Sequence, residues 1–477
     1  MSFASYTYAV FLALLFLAHW SLPARMRKPL LVVASYVFYC SWDWRFGFLL
    51  LAVSVFSWAW GLLLSRRAGE GRLVWIGVAI ELLPLLYFKY TNFALGNLAW
   101  LARAAGGGWH FEPWHIILPL GVSFFTFQGI AYLVDVATGD RPFTRLGDFL
   151  LYKGFWPQLI AGPIIRPEEI RDQIETPRQV SYDDLAEGTR RILSGLFKKV
   201  VVADTLAPVV DAVFLTNAHP GFVDTLVGVA GFSLQIYCDF AGYSEIAIGS
   251  ARLFGYRFPE NFDWPYLARS PQEFWNRWHM TLSRWIRDYV FTPLTFAFRS
   301  SPKVSVVWLA VAMALCGLWH GAAWTFVLWG VWHGALLVLN QTLLKPLFAG
   351  LEPGKPARRS LRSVFALALT WSLVCAGWLL FRAQNLGQVG SMARAVLRFE
   401  GGLRPTVLRE NDVLVVAVFL AGLFAAELAL PAWKRAVRAF PAASRFGSPL
   451  RAALVVLAIL AVVVFDRQSQ AFVYFQF

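Results

Sequence analysis

The chain has 477 residues, of which 58% are hydrophobic and only 15% charged, with a mean hydropathy of +0.53. That balance excludes a string of water-soluble domains and marks a polytopic membrane protein. The formal charge of +14 does not point to nucleic acid, because the basic residues are scattered through short loops without an aromatic-basic soluble module; anionic headgroups of a lipid bilayer are the expected counter-charge.

Apolar runs long enough to span predict about eleven transmembrane helices. The clearest begin near Tyr6, Leu30, Phe46, Leu73, Val223, Val304, Ala322, Leu361, Val413 and Leu454, with shorter candidates near Ile116 and Phe149. The expected fold is therefore all-α, a polytopic helical bundle with re-entrant and interfacial helices, built as one integral membrane domain over residues 1–477. The first run, MSFASYTYAVFLALLFLAHW, lacks a basic n-region and a small-residue cleavage site, so it reads as a retained helix, with His19 a structural residue inside it. Arg25, Arg27 and Lys28 follow this span, and Arg66, Arg67 and Arg72 follow the third. The basic-loop rule places both loops in the cytoplasm and the N-terminus outside.

Three polar tracts separate the spans: Arg166 to Leu185, Pro259 to Ser301, and Gly350 to Ser363, the last reading as a cytoplasmic linker. Arg398 to Asn411 is a further polar connection. Asp239 and Glu245 lie within the apolar run that follows Val223, where carboxylates need partners. Six residues on a helix set them about 120° apart, too far round to share a proton, and Arg252, Arg190 or Arg191 are the expected counter-charges. In the middle tract, Ser270, Pro271 and Glu273 form a helix start, and the helix should run to about Phe291 and stop before Pro293. Trp275, Trp278, His279, Leu282, Trp285, Ile286 and Tyr289 fall on one face; Arg277, Met280, Arg284, Arg287 and Asp288 fall on the other. Such a helix lies along the membrane interface or plugs into the bundle with its aromatic side inward.

From Val304 to Leu344 no residue is charged, and one pattern occurs twice, Gly317-Leu318-Trp319-His320-Gly321 and Gly330-Val331-Trp332-His333-Gly334. A continuous helix of that length would reach roughly 60 Å, about twice the apolar thickness of a bilayer, so the stretch must break near His320. Lys303 and Lys345 bracket the resulting hairpin on one side, the cytoplasmic one by the basic-loop rule. Imidazole exchanges protons near neutral pH and is costly to hold in hydrocarbon, which makes His320 a candidate reactive group; a structural histidine is the alternative that periodicity leaves open. Glycines beside it would let backbone or substrate come close. No Cys, Asp or Glu stands near the histidine pair at ligand spacing, so no metal is expected. Cys40, Cys238, Cys316 and Cys375 are far apart in apolar segments and read as packing residues.

The runs FWPQLIAGPIIRPEE (Phe155 to Glu169), YCDFAGYSEIAIGSARLFGYRFPENFDWPY (Tyr237 to Tyr266), SPQEFWNRWHMTLSRWIRDYVFTPL (Ser270 to Leu294) and GLWHGAAWTFVLWGVWHG (Gly317 to Gly334) together resemble the membrane-bound O-acyltransferase family. Within it they look like the bacterial alginate O-acetyltransferase branch, supported by PLGVSFFTFQGIAYLVDV (Pro119 to Val136), WLLFRA (Trp378 to Ala383) and the terminal FVYFQF. The resemblance implies a family core over about residues 115–345 with additional C-terminal spans over 361–477. It implies His320 as the catalytic histidine and His279 as the second signature position, with His333 recurrent but not catalytic. Asp239, Tyr243, Glu245, Trp278, Trp319, Gly317 and Gly321 are the expected substrate-binding or supporting positions. Glu245 departs from the Asp more usual in related sequences.

By the same resemblance the protein is a multi-pass enzyme of the bacterial inner membrane. Its donor is acetyl-CoA or another acyl thioester, with no bound cofactor, and its acceptor is an extracytoplasmic polysaccharide or a periplasmic acetyltransferase partner. A neutral buried imidazole would accept a proton from the attacking hydroxyl, with His279 orienting the base or supporting the oxyanion and tryptophans excluding water. A D-alanyl transferase of teichoic-acid type is the nearer alternative, and a proton-coupled transporter or channel the more distant one; no two-fold repeat of spans favours the latter.

Overall fold

We describe residues 1–67, 69–216, 219–298, 301–344, 361–439, 456–457 and 459–465 in a computed structural model of the chain. Every regular element among them is helical. Lys345, residues 350–360 of the linker, the start of the run from Leu454 and the terminal FVYFQF lie outside the described residues. The helices group into two compact units, Met1–Ile192 with Ile246–Glu260 and Gly321–Ala323, and Leu193–Glu245 with Asn261–His320 and Trp324–Phe477.

The first unit holds α1 (Tyr6–Ser21), α2 (Ala24–Cys40), α3 (Trp44–Arg66), α4 (Gly71–Leu85), α5 (Thr91–Ala104), α6 (Val122–Ala137), α7 (Leu146–Gly154), α8 (Trp156–Leu159), α9 (Pro167–Glu175) and most of α10 (Tyr182–Leu196). Local chemistry sets the starts. The Ser5 hydroxyl accepts the Tyr8 amide at 3.2 Å and the Asp43 carboxylate accepts that of Arg45 at 3.0 Å, each satisfying a first-turn N–H. The core of this unit contains a buried ion pair: Lys153 on α7 reaches the two carboxylate oxygens of Glu81 on α4 at 3.2 and 3.1 Å and the Ser57 hydroxyl on α3 at 2.6 Å. Burial of both charges is tolerated because each finds its counter-charge and a hydroxyl.

The second unit begins with a π-helical turn, Phe197–Ala203, and α11 (Asp204–Phe214). Next comes α12 (Phe222–Leu253), 32 residues long and buried along most of its length, which passes into the first unit at Ile246. Then follow α13 (Pro271–Trp275), α14 (Met280–Ile286), α15 (Thr292–Ala297), α16 (Pro302–His320), α17 (Trp324–Leu339), α18 (Leu361–Arg382), α19 (Leu386–Leu397) and α20 (Glu410–Ala439). The Val304–Leu344 stretch does turn back once, at residues 321–323 directly after His320. The hairpin closes through the first glycine of each pentapeptide: a methyl on Gly317 would strike the Phe326 carbonyl and lie 2.9 Å from Gly330 Cα. Helix α18 packs antiparallel on α17, with the Trp332 indole donating to the Leu373 carbonyl at 2.9 Å and Phe326 meeting Phe381 at 4.9 Å between ring centroids.

Among the described residues four helical stretches are long and apolar enough to cross a bilayer, Trp44–Arg66, Gly71–Ala104, Trp324–Leu344 and Leu361–Arg382, with Tyr6–Ser21, Val122–Ala137 and Val304–His320 shorter. Two candidates for spans are not single helices. The run near Ile116 begins extended and becomes helical only from Val122, as α6, and the one near Phe149 breaks into α7 and α8, whose residues are almost all buried in protein. A short apolar run reads alike whether lipid or protein covers it. The expected helix from Ser270 to Phe291 is also corrected. It stops at Trp275, turns at His279, resumes at Met280 and continues through Pro293 by a π turn over Arg287–Phe291. Its two faces survive the break, since Trp275, Trp278, His279, Leu282, Trp285 and Ile286 are buried while Arg287 is exposed.

Candidate active site

The kink places His279 in the middle of the second unit. Its backbone adopts the left-handed region, φ 41° and ψ 53°, at a non-glycine residue, a conformation costing roughly 1–2 kcal/mol. The ring is fully buried and packs against Phe240 of α12 at 4.7 Å and Trp319 of α16 at 6.4 Å between centroids. Its Nδ1 lies 3.0 Å from Asn261 Oδ1. Loss of water on burial pulls the ring down to about 3 from the ordinary 6.5, so it is uncharged at physiological pH.

Three imidazoles follow one another along an aromatic wall. Trp319 meets the His320 ring at 4.8 Å, and His320, 5% exposed, is closed in by Trp329 at 4.8 Å and Phe381 at 5.3 Å. Trp329 then touches His333 at 4.9 Å, which also meets Trp275 at 5.2 Å and Trp378 at 6.4 Å. His333 Nε2 faces Gly377, where an added methyl would come within 2.8 Å of it. Trp278 backs the wall, stacked on Phe274 at 5.5 Å and tilted on Trp378 at 4.9 Å. An arrangement of this kind shields the imidazoles from bulk solvent, in an interior where hydrogen bonds and charge interactions are stronger than in water.

The structure sorts the other expected positions. Gly317 packs helix on helix, its Cα facing Gly330 and the Phe326 carbonyl. Gly321 opens the break after α16. Tyr243 is buried on α12. Asp239 binds Lys199 at 2.8 Å, and Lys199 also reaches Asp204 at 2.8 Å; Glu245 binds Lys198 at 3.3 Å. Although burial opposes its charge, Asp239 and Asp204 raise the Lys199 ammonium above the ordinary lysine value. The arginines expected as partners are engaged elsewhere: Arg252 with Asp184, Arg190 with Glu187, and Arg191 with Glu187 and Glu260. The successive lysines come from the π turn, whose wider winding presents both to α12, and no apolar periodicity announces that. Asn261, Trp329 and Phe381 were likewise not singled out from sequence, because each touches the histidines only after the chain folds back. Among the described residues no three His, Cys, Asp or Glu side chains come together as metal ligands do.

An all-α membrane protein with three histidines set in a buried, aromatic interior belongs to the class of polytopic membrane proteins that keep ionisable side chains inside the protein, away from lipid. Residues 144–375, which carry all three histidines of the wall, match the model of the MBOAT, membrane-bound O-acyltransferase, family. The chain is 39% identical to a probable alginate O-acetylase of Azotobacter vinelandii over 408 residues, covering 84% of this chain and 78% of that protein. It is 31% identical to a peptidoglycan O-acetyltransferase of Helicobacter pylori (82% and 78% covered) and 30% identical to a teichoic acid D-alanyltransferase of Bacillus subtilis (67% and 80%). The protein belongs to the membrane-bound O-acyltransferase family and is an O-acyltransferase.

Proposed function

We propose that the protein transfers an acetyl group from a cytoplasmic thioester, acetyl-CoA or a related donor, toward hydroxyls of an extracytoplasmic, alginate-like polysaccharide. It does so from the bacterial inner membrane, directly or through a periplasmic acetyltransferase partner. His320 is the general base, and His279 supports the reaction. The observation that carries this reading is the wall itself: His320, 5% exposed, sits at the break of an otherwise uncharged hairpin, enclosed by Trp319, Trp329 and Phe381.

Sidedness supports it. With the Lys303 end of α16 cytoplasmic by the basic-loop rule, 19 helical residues carry the chain about 28 Å, which sets His320 toward the acceptor side. There the neutral ring takes the hydroxyl proton, the alkoxide oxygen attacks the thioester carbonyl, and the thiolate leaves and recovers the proton. The relatives named for acetylation are matched over more of this chain than the D-alanyltransferase, which favours acetyl over D-alanyl as the group moved.

The test is His320→Ala in purified protein given acetyl thioester and oligosaccharide. We expect thiol release and acetyl incorporation to fall by at least about 10²-fold with insertion and abundance unchanged. His279→Ala should lower turnover less. Retained acetylation in a well-folded His320→Ala protein would remove the assignment.

A further inference from the structure

The supporting role of His279 has two chemically opposite forms, since stabilising an oxyanion needs a hydrogen-bond donor whereas holding a hydroxyl needs an acceptor. The surroundings of the ring choose between them. Asn261, only 1% exposed, is fixed by a closed network. Its amide nitrogen donates to the Ser244 hydroxyl at 3.0 Å. Its amide oxygen receives the Thr281 hydroxyl at 2.9 Å and the Thr281 backbone amide at 3.4 Å. The Met280 amide donates to the Asn261 carbonyl at 2.9 Å, tying the residue to the turn that carries His279. A backbone N–H can only donate, so the atom facing Thr281, and therefore facing His279 Nδ1, is the oxygen.

From this network we infer that Asn261 is a positioning residue that holds His279 in the tautomer with its proton on Nδ1, so that Nε2 presents a bare lone pair and accepts a hydrogen bond from the acceptor substrate. A neutral imidazole carries one N–H, and the Asn261 oxygen claims it. Nε2 is buried and has no hydrogen-bond partner among the described residues, a state that costs about 1–3 kcal/mol unless a ligand fills it. The left-handed backbone at His279 is a second cost borne at the same residue, as happens where a ring must be aimed. Phe240, Phe262 and Trp319 face the ring, with His320 beyond Trp319 and Asp239 neutralised by Lys199 on the neighbouring stretch of α12. A sugar carries several hydroxyls, so one can yield its proton to His320 while another donates to His279. His279 is thereby an anchor for the acceptor and not an oxyanion donor.

The inference rests on the proposed acyl transfer for its substrate but is testable without turnover. In protein labelled with 15N-histidine and reconstituted in nanodiscs, the His279 resonances, assigned by their loss in His279→Gln, should show a protonated Nδ1 and an unprotonated Nε2 at pH 7. Kinetically, Asn261→Ala should raise the acceptor KM about 10-fold with a smaller change in kcat, the split expected of a lost acceptor anchor. The isosteric Asn261→Asp places a carboxylate against Nδ1 and stabilises the imidazolium, so acetylation should gain an acid limb, falling as pH drops through the neutral range. A proton on Nε2 in the wild type, or an Asn261→Asp profile superimposable on that of the wild type, overturns the inference. The expected tautomer in a protein inert toward thioester and glycan would leave the inference standing and sink the functional reading alone.

Discussion

Replacing Gly330 with alanine tests whether the repeated pentapeptide is first of all a packing device. The added methyl would collide with the Met313 carbonyl and lie 3.0 Å from both Ala314 Cα and the Gly317 amide, all of them backbone atoms of a helix that cannot rotate away. Relief requires α16 and α17 to part by about 1 Å, and overpacking of this kind costs about 1–3 kcal/mol. His320 lies three residues past Gly317 on the displaced helix, so the same shift moves the candidate base by a comparable distance, enough to slow transfer by about 10²-fold. Thermal unfolding in detergent and thiol release from acyl thioester measure the two effects. Gly390→Ala on α19 is the control: nothing lies within 4 Å of the new methyl, so it should stabilise, by about 0.5–1 kcal/mol. A Gly330→Ala protein with the melting temperature and rate of the wild type would refute the packing argument.

Three further outcomes follow from the same physics. Lys153→Met leaves the Glu81 carboxylate buried without its cation and should cost about 3–5 kcal/mol in denaturation from mixed micelles, while Lys153→Met combined with Glu81→Gln recovers most of it; equal stability of single and double variants would contradict this. Asp224 accepts the amides of Gly221, Thr406, Val407 and Leu408 and the Thr406 hydroxyl, so Asp224→Ala should cost on the order of 3 kcal/mol and expose residues 399–408 to proteolysis, read by limited digestion. The lowered pKa of His279 makes stability fall with acid. Above pH 6.5 neither state is protonated at this ring, and as pH drops toward 3 the unfolded chain binds a proton the native one does not, a loss of up to roughly 4–5 kcal/mol. His279→Gln should flatten that part of the pH–stability curve, and an unchanged curve would remove burial as the cause.

Much of the site was legible. The break in the 304–344 run had to fall near His320 because the length exceeds one bilayer crossing, and α16 ends at that residue. The aromatic face of the 270–291 segment was equally plain, since Trp275, Trp278 and His279 share it and all are buried. The kink was not, because Asn276 to His279 carry no proline or glycine, and the left-handed turn at His279 is held by a distant asparagine that donates nothing to local propensity. The partners of Asp239 and Glu245 were misassigned for a related reason: of the expected arginines only Arg252 stands closer in sequence, and it is the winding of residues 197–203 that brings lysines to them.

By itself the sequence determined that this chain lives in a bilayer as helices, and that imidazoles are held in its interior, because hydrocarbon forbids unpaired backbone and leaves charge-free stretches as an unambiguous record. Which rings face which, which lysine neutralises which carboxylate, and which nitrogen of His279 carries the proton were decided only by tertiary structure. Those are contacts between residues remote along the chain, and a hydrogen bond's direction depends on where its partner's atoms lie.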